Sequence, residues 1–211
     1  MSSTRLCIVR HGETDWNAER RIQGHVDIPL NATGLSQAEA AARGIAGEKF
    51  AAIYSSDLIR AMQTANTLGG VAGLAVVSEA GLRERNFGRM QGMRYEDIQT
   101  LDAIEAARFR QRDPYYDFGG GETLIAFADR IHATIERLAA AHAGASLLLV
   151  THGGVLDIIH RRISGRDLSA PRDFTVPNAA LNRIEIDTNG WRLLSWADRR
   201  HLEATLEQSA E

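Results

Sequence analysis

Two short blocks of this chain share one pattern: a run of strand-forming residues, then a polar residue, a histidine and a glycine. The first block runs from Leu6 to Gly12 and the second from Leu147 to Gly153. Apolar runs of this length that end in a turn predict buried strands of a parallel sheet. Ligands of open α/β sheets bind at the carboxyl ends of such strands. The pattern therefore predicts that His11 and His152 lie at one edge of a sheet, in one candidate site.

Strand and amphipathic helix signals alternate along the rest of the chain. This alternation predicts a three-layer α/β fold, with a mostly parallel sheet and helices on both faces. Near the end, the segments 182–186 and 191–196 alternate around Asn189-Gly190. Asn-Gly between two alternating segments is a strong hairpin signal, so we expect an antiparallel edge.

Four helices are predicted between the strands from their apolar periodicity and their capping residues, and a further helix is predicted from Gly153 onward. Thr33 is expected to cap the first, and Ser56 or Asp57 the second. The third is predicted over 96–108 and the fourth over 122–141.

Length and composition indicate one domain, 1–211, with a small cap-like excursion at about 93–121. The chain is 44% hydrophobic and 24% charged, as in ordinary globular proteins, and no apolar run is long enough to span a membrane. It starts without an apolar signal segment, and its single cysteine, Cys7, excludes an internal disulfide. We therefore expect a cytoplasmic protein with no membrane partner and Cys7 in its core.

The net charge of −3 argues against general nucleic-acid binding. Lys49 is the only lysine among 24 basic residues, and arginines recur beside the motifs. Arginine presents a planar donor fork that suits phosphate oxygens, so a small anionic substrate is expected. The arginines and aromatics of segment 108–118 fit two roles equally well, contact with substrate and packing of the excursion.

The whole stretch from Arg5 to Trp196 resembles the histidine phosphatase superfamily, whose best-known branch is the cofactor-dependent phosphoglycerate mutases. The resemblance rests on motifs that occur here in the family's order. They are Arg10 to Asn17; Gln23-Gly24, Asp27, Pro29-Leu30 and Thr33-Gly34-Leu35; Ser55 to Ala65; Leu82 to Gly88; Gly120 to Thr123; and Val150 to Gly154.

The resemblance implies a phosphoglycerate mutase-like fold and a phosphohistidine mechanism. His11 would attack the phosphoryl group, while Arg10, Arg60 and His152 hold its oxygens, with His152 expected in its charged form. Arg60, in the first turn of a helix, opposes the helix dipole, which favours a bound anion. Glu84 would be the proton donor and acceptor.

Other residues of the motifs are expected to bind phosphate or to support the site. The residues expected to bind phosphate are Asn17, Gln23, Gly24 and Gly153. Two rivals of Glu84 are given structural roles: Glu13 is expected to order the turn after His11, and Glu122 to cap its helix. His25 is expected near the site. No metal is expected, because the spacings around the two site histidines are not those of metal ligands.

The favoured function is a metal-independent phosphomonoester phosphatase acting on a small phosphorylated metabolite, with no cofactor. One alternative is a phosphoglycerate mutase that depends on 2,3-bisphosphoglycerate, and another is a non-catalytic phospho-ligand binding protein. Mutases of the family typically have a longer segment before the Gly120-Gly121-Glu122-Thr123 block, with a lysine and paired arginines. Here segment 93–119 has no lysine, although Arg108, Arg110 and Arg112 offer cations. The natural substrate and the oligomeric state stay open, a homodimer being one candidate.

Overall fold

The structure, a computed structural model, describes residues 3–203 and centres on a six-stranded sheet. The strands follow one another across the sheet in the order β3, β2, β4, β1, β5, β6. Their bounds are β1 Thr4–Arg10, β2 Ala52–Ser55, β3 Val76–Ser78, β4 Ser146–Thr151, β5 Leu181–Asp187 and β6 Gly190–Asp198.

Four strands are parallel and two form the antiparallel edge that the sequence predicts. β1 pairs in parallel with β4, which pairs with β2, which pairs with β3. β5 runs antiparallel to β1, and β6 closes a hairpin with β5. The predicted fold class is confirmed. The assignment of 1–211 to one domain stays a prediction, since residues 1–2 and 204–211 lie outside the described part.

Six α-helices cover the sheet or its loops in the described chain. They are α1 Asp15–Ala18, α2 Ala32–Gly44, α3 Ile59–Ala72, α4 Ala103–Arg110, α5 Leu124–Ala141 and α6 Gly153–Ser164. The apolar side chains of α2 and α3 pack on one face of the sheet, where Cys7 is buried, and those of α5 and α6 pack on the other. Between residues 3 and 203, no helix is both long and apolar enough to cross a membrane.

The first predicted helix begins earlier than expected, because Asn31 rather than Thr33 caps it. Asn31 Oδ1 accepts a hydrogen bond from the Gly34 amide at 2.8 Å. A side chain on Gly34 would collide with the main chain of Glu13, so the face of α2 that carries Gly34 is packed inward. Successive helical residues are rotated by about 100°. Leu35, the next residue of the helix, therefore points outward and is exposed, although it is apolar.

The predicted caps of α3 and α5 are also wrong, because the candidate residues bind elsewhere. α3 begins at Ile59, whose amide donates to Asp27 Oδ1 at 2.6 Å, while Asp57 pairs with Arg83. α5 is capped by Thr123, and Glu122, expected as its cap, pairs instead with Arg130 at 2.8 Å.

The excursion contains two short helices in place of the single one predicted over 96–108. A 3₁₀ turn at Tyr95–Thr100 is followed by α4, which Asp102 caps through the amides of Ile104 and Glu105. Ile98, Ala106 and Phe118 of the excursion form one apolar cluster with Ile22 and Met90 of the body. Much of the aromatic content of the excursion therefore packs it against the body.

Candidate active site

The two histidines of the repeated pattern lie side by side. β1 and β4 are neighbours in register, with Arg10 opposite Thr151, so the next residue of each strand is a histidine at the same sheet edge. The rings of His11 and His152 have centroids 5.1 Å apart and are tilted by 60°. Both residues are buried. The sheet thus brings together two groups that are far apart in the chain.

The surroundings of His11 fix which ring nitrogen is free of a proton. His11 Nδ1 lies 2.7 Å from the Gly12 carbonyl oxygen. A carbonyl oxygen only accepts, so Nδ1 carries the proton and Nε2 keeps a free electron pair. Burial, together with the guanidinium groups of Arg60 and Arg10, holds the pKa of His11 well below its ordinary value. The ring is therefore neutral at pH 7 and able to attack as a nucleophile.

Arg10 is half-buried and Arg60 is buried, and the guanidinium group of each donates to carbonyl oxygens of loops. Arg10 Nη1 donates to the Val176 carbonyl at 2.6 Å. Arg60 donates from Nη2 to Gly24 at 2.7 Å and from Nη1 to Val26 at 2.9 Å. Burial lowers the pKa of Arg60 to about 10, which leaves it charged at neutral pH. The buried Nε atoms of both arginines have no hydrogen-bond partner within residues 3–203. Buried donors are normally paired, so these two groups fit a site that binds an anion.

Glu84 is held against the N-terminus of α6. Its Oε2 accepts from the Gly154 amide at 2.9 Å, and its Oε1 accepts from the Arg85 amide at 2.8 Å. A Cβ on Gly154 would lie 2.1 Å from Glu84 Oε1, so glycine makes this approach possible. His25 Nε2 donates to the Glu84 carbonyl at 2.7 Å, which places His25 beside the site as predicted. The carboxyl group is thus fixed in the wall of the cavity.

His152 differs from the expectation that it carries a charge. Burial and the neighbouring guanidinium of Arg60 hold the pKa of His152 well below its ordinary value, so these surroundings favour the neutral ring. His152 Nε2 lies 2.8 Å from Ser56 Oγ, and its buried Nδ1 has no partner in the described chain.

Eight of the nine predicted site residues line a cavity of about 560 Å³ at the carboxyl edge of the sheet, and five of them are Arg10, His11, Arg60, Glu84 and Gly153. The ninth, His152, is fully buried and is not among the lining residues. A buried imidazole nucleophile, cations and a carboxyl group suit transfer of a phosphoryl group, whose charge lies on its outer oxygens.

A sequence model of the histidine phosphatase superfamily (branch 1) matches residues 6–199. The chain belongs to the histidine phosphatase superfamily. Its members include enzymes named as phosphatases and enzymes named as mutase-like, as the individual relatives show.

The chain is 37% identical over 204 residues to the metal-independent phosphoserine phosphatase of Arabidopsis thaliana, covering 95% of this chain and 84% of that protein. It is also 37% identical over 204 residues to phosphoglycerate mutase-like protein 4 of the same plant, covering 95% and 87%. The structure of a mycobacterial glucosyl-3-phosphoglycerate phosphatase is similar at a TM-score of 0.82 and 31% identity, over 93% of this chain and 100% of that one. The predicted family and enzyme class are confirmed.

The remaining residues that we assigned to phosphate binding lie in or behind the cavity wall of this histidine phosphatase. Gln23 and Gly24 line it, and the Gly24 carbonyl accepts from Arg60. Asn17 also lines it, but its Oδ1 accepts from the Thr14 amide at 3.2 Å, so its role includes holding the turn after His11. Glu13 orders the same turn as expected, through Asn31 at 3.0 Å. The catalytic roles of these residues stay predictions.

Several supporting residues were not predicted from the sequence. Ser56 contacts His152, and Thr64 Oγ1 accepts from the Gly12 amide at 3.1 Å. Asn178 Nδ2 donates to the His11 carbonyl at 2.9 Å. Ser56 and Thr64 lie inside a motif of the family, which is a usable signal, whereas Asn178 lies in an irregular segment with no motif. Arg83, one of the arginines within the motifs, pairs with Asp57 and does not line the cavity.

Proposed function

We propose that this histidine phosphatase hydrolyses phosphomonoesters through a phosphohistidine formed on His11. The observation that carries the proposal is the protonation pattern of His11. Nδ1 donates to the Gly12 carbonyl, so Nε2 holds its electron pair in a ring that burial and the charges of Arg60 and Arg10 keep neutral. A neutral imidazole with one free nitrogen is already a nucleophile at pH 7 and needs no separate base.

In the first step, His11 Nε2 forms a bond to phosphorus and the bond between phosphorus and the ester oxygen breaks. The leaving alkoxide needs a proton, which Glu84 supplies from its carboxylic acid form. Arg10 and Arg60 neutralise charge on the phosphoryl oxygens. The products of this step are the free alcohol, phosphohistidine and the Glu84 carboxylate.

In the second step, water attacks phosphorus and the bond to His11 Nε2 breaks. The Glu84 carboxylate takes the proton that the water loses, which restores the acid for the next cycle. Each oxygen of Glu84 accepts one main-chain hydrogen bond and keeps a second lone pair for this exchange. Inorganic phosphate then leaves.

The proposed reaction uses no metal and no cofactor, in keeping with the metal-independent phosphoserine phosphatase to which the chain is similar. The proposed substrate is a small phosphorylated metabolite, since the cavity volume of about 560 Å³ is in the range of small-molecule sites. We place the enzyme in the cytoplasm, where a free buried thiol such as Cys7 is stable. No nucleic-acid or membrane partner is proposed.

The test is release of phosphate from a panel of phosphomonoesters by the wild-type enzyme and by His11→Gln. We expect turnover only in the wild type, unchanged by EDTA and inhibited by vanadate, which resembles the pentacoordinate transition state. Rapid quenching with ³²P-labelled substrate should trap acid-labile, alkali-stable label on the wild type alone. Label on a serine, full activity of His11→Gln, or activity that EDTA removes and zinc or manganese restores would overturn the proposal.

A further inference from the structure

Arg130 of α5 binds the segment that carries Glu84, although it does not itself line the cavity. Its Nε and Nη2 atoms donate to the two carboxylate oxygens of Glu122 at 2.9 and 2.8 Å. Its Nη1 atom donates to the carbonyls of Gly81 at 2.9 Å and Arg83 at 3.1 Å, and Nη2 donates a second time, to the Glu84 carbonyl at 3.2 Å. An arginine has five N–H donors, so every donor of Arg130 is used within the protein.

The carbonyls of residues 81–84 all accept hydrogen bonds from side chains. Arg130 donates to three of them, and Thr151 Oγ1 donates to the fourth, that of Leu82, at 2.8 Å. The Glu84 carbonyl accepts a second hydrogen bond, from His25. Residues 83–87 belong to no helix or strand. Side chains from α5, β4 and the loop after α1 thus fix the path of the chain at the proposed proton donor.

The guanidinium group of Arg130 is itself held in place on α5. Arg130 and Glu122 are half-buried, and the guanidinium carbon lies 5.1 Å from the ring centroid of Phe127, one turn earlier. The segment approaches the helix closely, since a Cβ on Gly81 would lie 2.3 Å from Thr134 Oγ1. A bidentate pair between arginine and carboxylate fixes the plane of the guanidinium group. Arg130 is therefore a rigid support rather than a mobile surface cation.

The position of the Glu84 main chain decides where its carboxyl group lies. The amides of Arg85 and Gly154 each bind one carboxyl oxygen, and this orientation is useful only while the main chain stays fixed. A proton donor must lie within about 2.6–3.2 Å of the oxygen that it protonates. A misplacement of about 1 Å can cost roughly 10²-fold in rate. A group that fixes the Glu84 carbonyl can therefore control proton transfer without touching the substrate.

We propose that Arg130, oriented by Glu122, is a positioning residue that holds Glu84 at the leaving-group oxygen of the substrate. The proposal rests on the proposed function, because it assumes that Glu84 is the proton donor. It also gives Glu122, in the block 120–123, a role other than helix capping.

The test compares propyl phosphate, whose alkoxide needs a proton as it leaves, with p-nitrophenyl phosphate, whose nitrophenolate hardly does. The measured quantity is the ratio of kcat/KM for propyl phosphate to kcat/KM for p-nitrophenyl phosphate. Arg130→Gln should lower this ratio by roughly 10-fold, less than Glu84→Gln does, because the acid is displaced but still present. Turnover of p-nitrophenyl phosphate should stay close to that of the wild type, which shows that the variant is folded. Arg130→Lys should give an intermediate ratio, since one ammonium nitrogen cannot reach both Glu122 and the carbonyls.

The same substitution in the Glu84→Gln background separates positioning from a general structural role. Once the acid is absent, its position no longer matters, so the addition of Arg130→Gln should leave the ratio of Glu84→Gln unchanged. An effect that does not pass through Glu84 would lower the ratio equally in both backgrounds.

Three variants control the experiment. Arg137→Gln removes an exposed arginine of the same helix, which pairs with Glu79 and, within residues 3–203, donates to no carbonyl of the 81–84 segment, so the wild-type ratio should be kept. Glu122→Gln retains an oxygen that accepts from Arg130 and should also keep the wild-type ratio. The double variant Glu122→Gln, Arg130→Gln leaves no unpaired carboxylate and should reproduce the ratio of Arg130→Gln. It carries the same test if Arg130→Gln alone fails to fold.

A wild-type ratio in the Arg130→Gln variant would overturn the proposal, as would equal slowing of both substrates or a further loss of equal size in the Glu84→Gln background. If Glu84→Gln itself keeps the wild-type ratio, or if the wild type releases phosphate from no monoester, the proposed function has failed. The two failures are therefore distinguishable.

Discussion

The hydroxyl of Ser56 lies 2.8 Å from Nε2 of His152, and both residues are fully buried. Ser56 Oγ is also 3.4 Å from the Leu58 amide, which can only donate to it. We expect the hydroxyl to donate its proton to His152 Nε2, which puts the ring proton of a neutral His152 on Nδ1, the buried nitrogen without a partner in the described chain. A ring of this tautomer can donate from Nδ1 to a phosphate oxygen without carrying a charge.

In Ser56→Ala, the hydroxyl that holds His152 in this tautomer is missing, so we expect the catalytic efficiency to fall. We expect kcat/KM to fall by roughly 10-fold, the scale of one neutral hydrogen bond. The ¹⁵N spectrum of the histidine rings should show an Nδ1-protonated His152 in the wild type and a mixture of tautomers in the variant. Ser55→Ala is the matched control, because Ser55 is equally buried but its hydroxyl donates to the main chain at 2.8 Å. An unchanged His152 spectrum in Ser56→Ala would show that the hydroxyl does not set the tautomer.

Glu84→Gln should slow the hydrolysis of different substrates to different extents, depending on how much the leaving group needs a proton. An alkoxide needs a proton as it leaves, whereas a nitrophenolate hardly does, so alkyl phosphates should be slowed by roughly 10²-fold or more and p-nitrophenyl phosphate much less. Steady-state kcat/KM for both substrates is the measurement. Glu122→Gln, which changes a carboxylate paired with Arg130 outside the cavity wall, should show no such leaving-group dependence. Equal slowing of both substrates by Glu84→Gln would assign Glu84 another role.

The parts of the fold that could be predicted are those with local signals. The strand, histidine and glycine blocks and the Asn-Gly hairpin each lie within a few residues, and the structure contains both. The adjacency of β1 and β4 has no such signal, because pairing between strands far apart in the sequence depends on the whole chain. The sequence therefore predicts both histidines at one edge but not the 5.1 Å between their rings.

The wrong cap predicted for α3 has a physical cause. Ser56 and Asp57 are good capping residues, but each makes a tertiary contact instead, with His152 and Arg83 respectively. A capping preference is worth about 1 kcal/mol, which a buried or charged partner can outweigh. The place of Arg172 in the cavity wall could not be predicted either, because residue 172 lies in the irregular connection between α6 and β5.

The two buried histidines should make stability depend on pH. The unfolded chain takes up a proton on each imidazole near pH 6.5, whereas burial keeps the folded pKa of His11 and His152 well below that value. As the pH falls below about 6.5, the unfolded state binds more protons, so the free energy of unfolding decreases. Stability should therefore rise between about pH 5 and pH 7.

Urea unfolding at pH 5.5, 6.5 and 7.5 in a phosphate-free buffer measures this effect. The double variant His11→Gln, His152→Gln should lose less stability on acidification than the wild type. His132, His160 and His201, whose pKa values burial also lowers, remain in the variant and account for its residual slope. Parallel pH dependences of wild type and variant would contradict the neutral state of the two site histidines.

Hydrolysis should exceed phosphoglycerate mutase activity. A mutase must hold the intermediate and keep water from phosphohistidine, which needs an enclosing segment and several cations. Of the three arginines that could replace the missing ones, Arg112 lines the cavity, whereas Arg108 stacks on Tyr116 and Arg110 lies outside the wall. Of these three arginines, the short segment 93–119 thus supplies only one to the cavity, and bulk water can react with the phosphohistidine.

The decisive measurement is conversion of 3-phosphoglycerate to 2-phosphoglycerate with 2,3-bisphosphoglycerate present. A rate well above phosphate release from every monoester tested would identify a mutase and show that the short segment is enough to retain the intermediate.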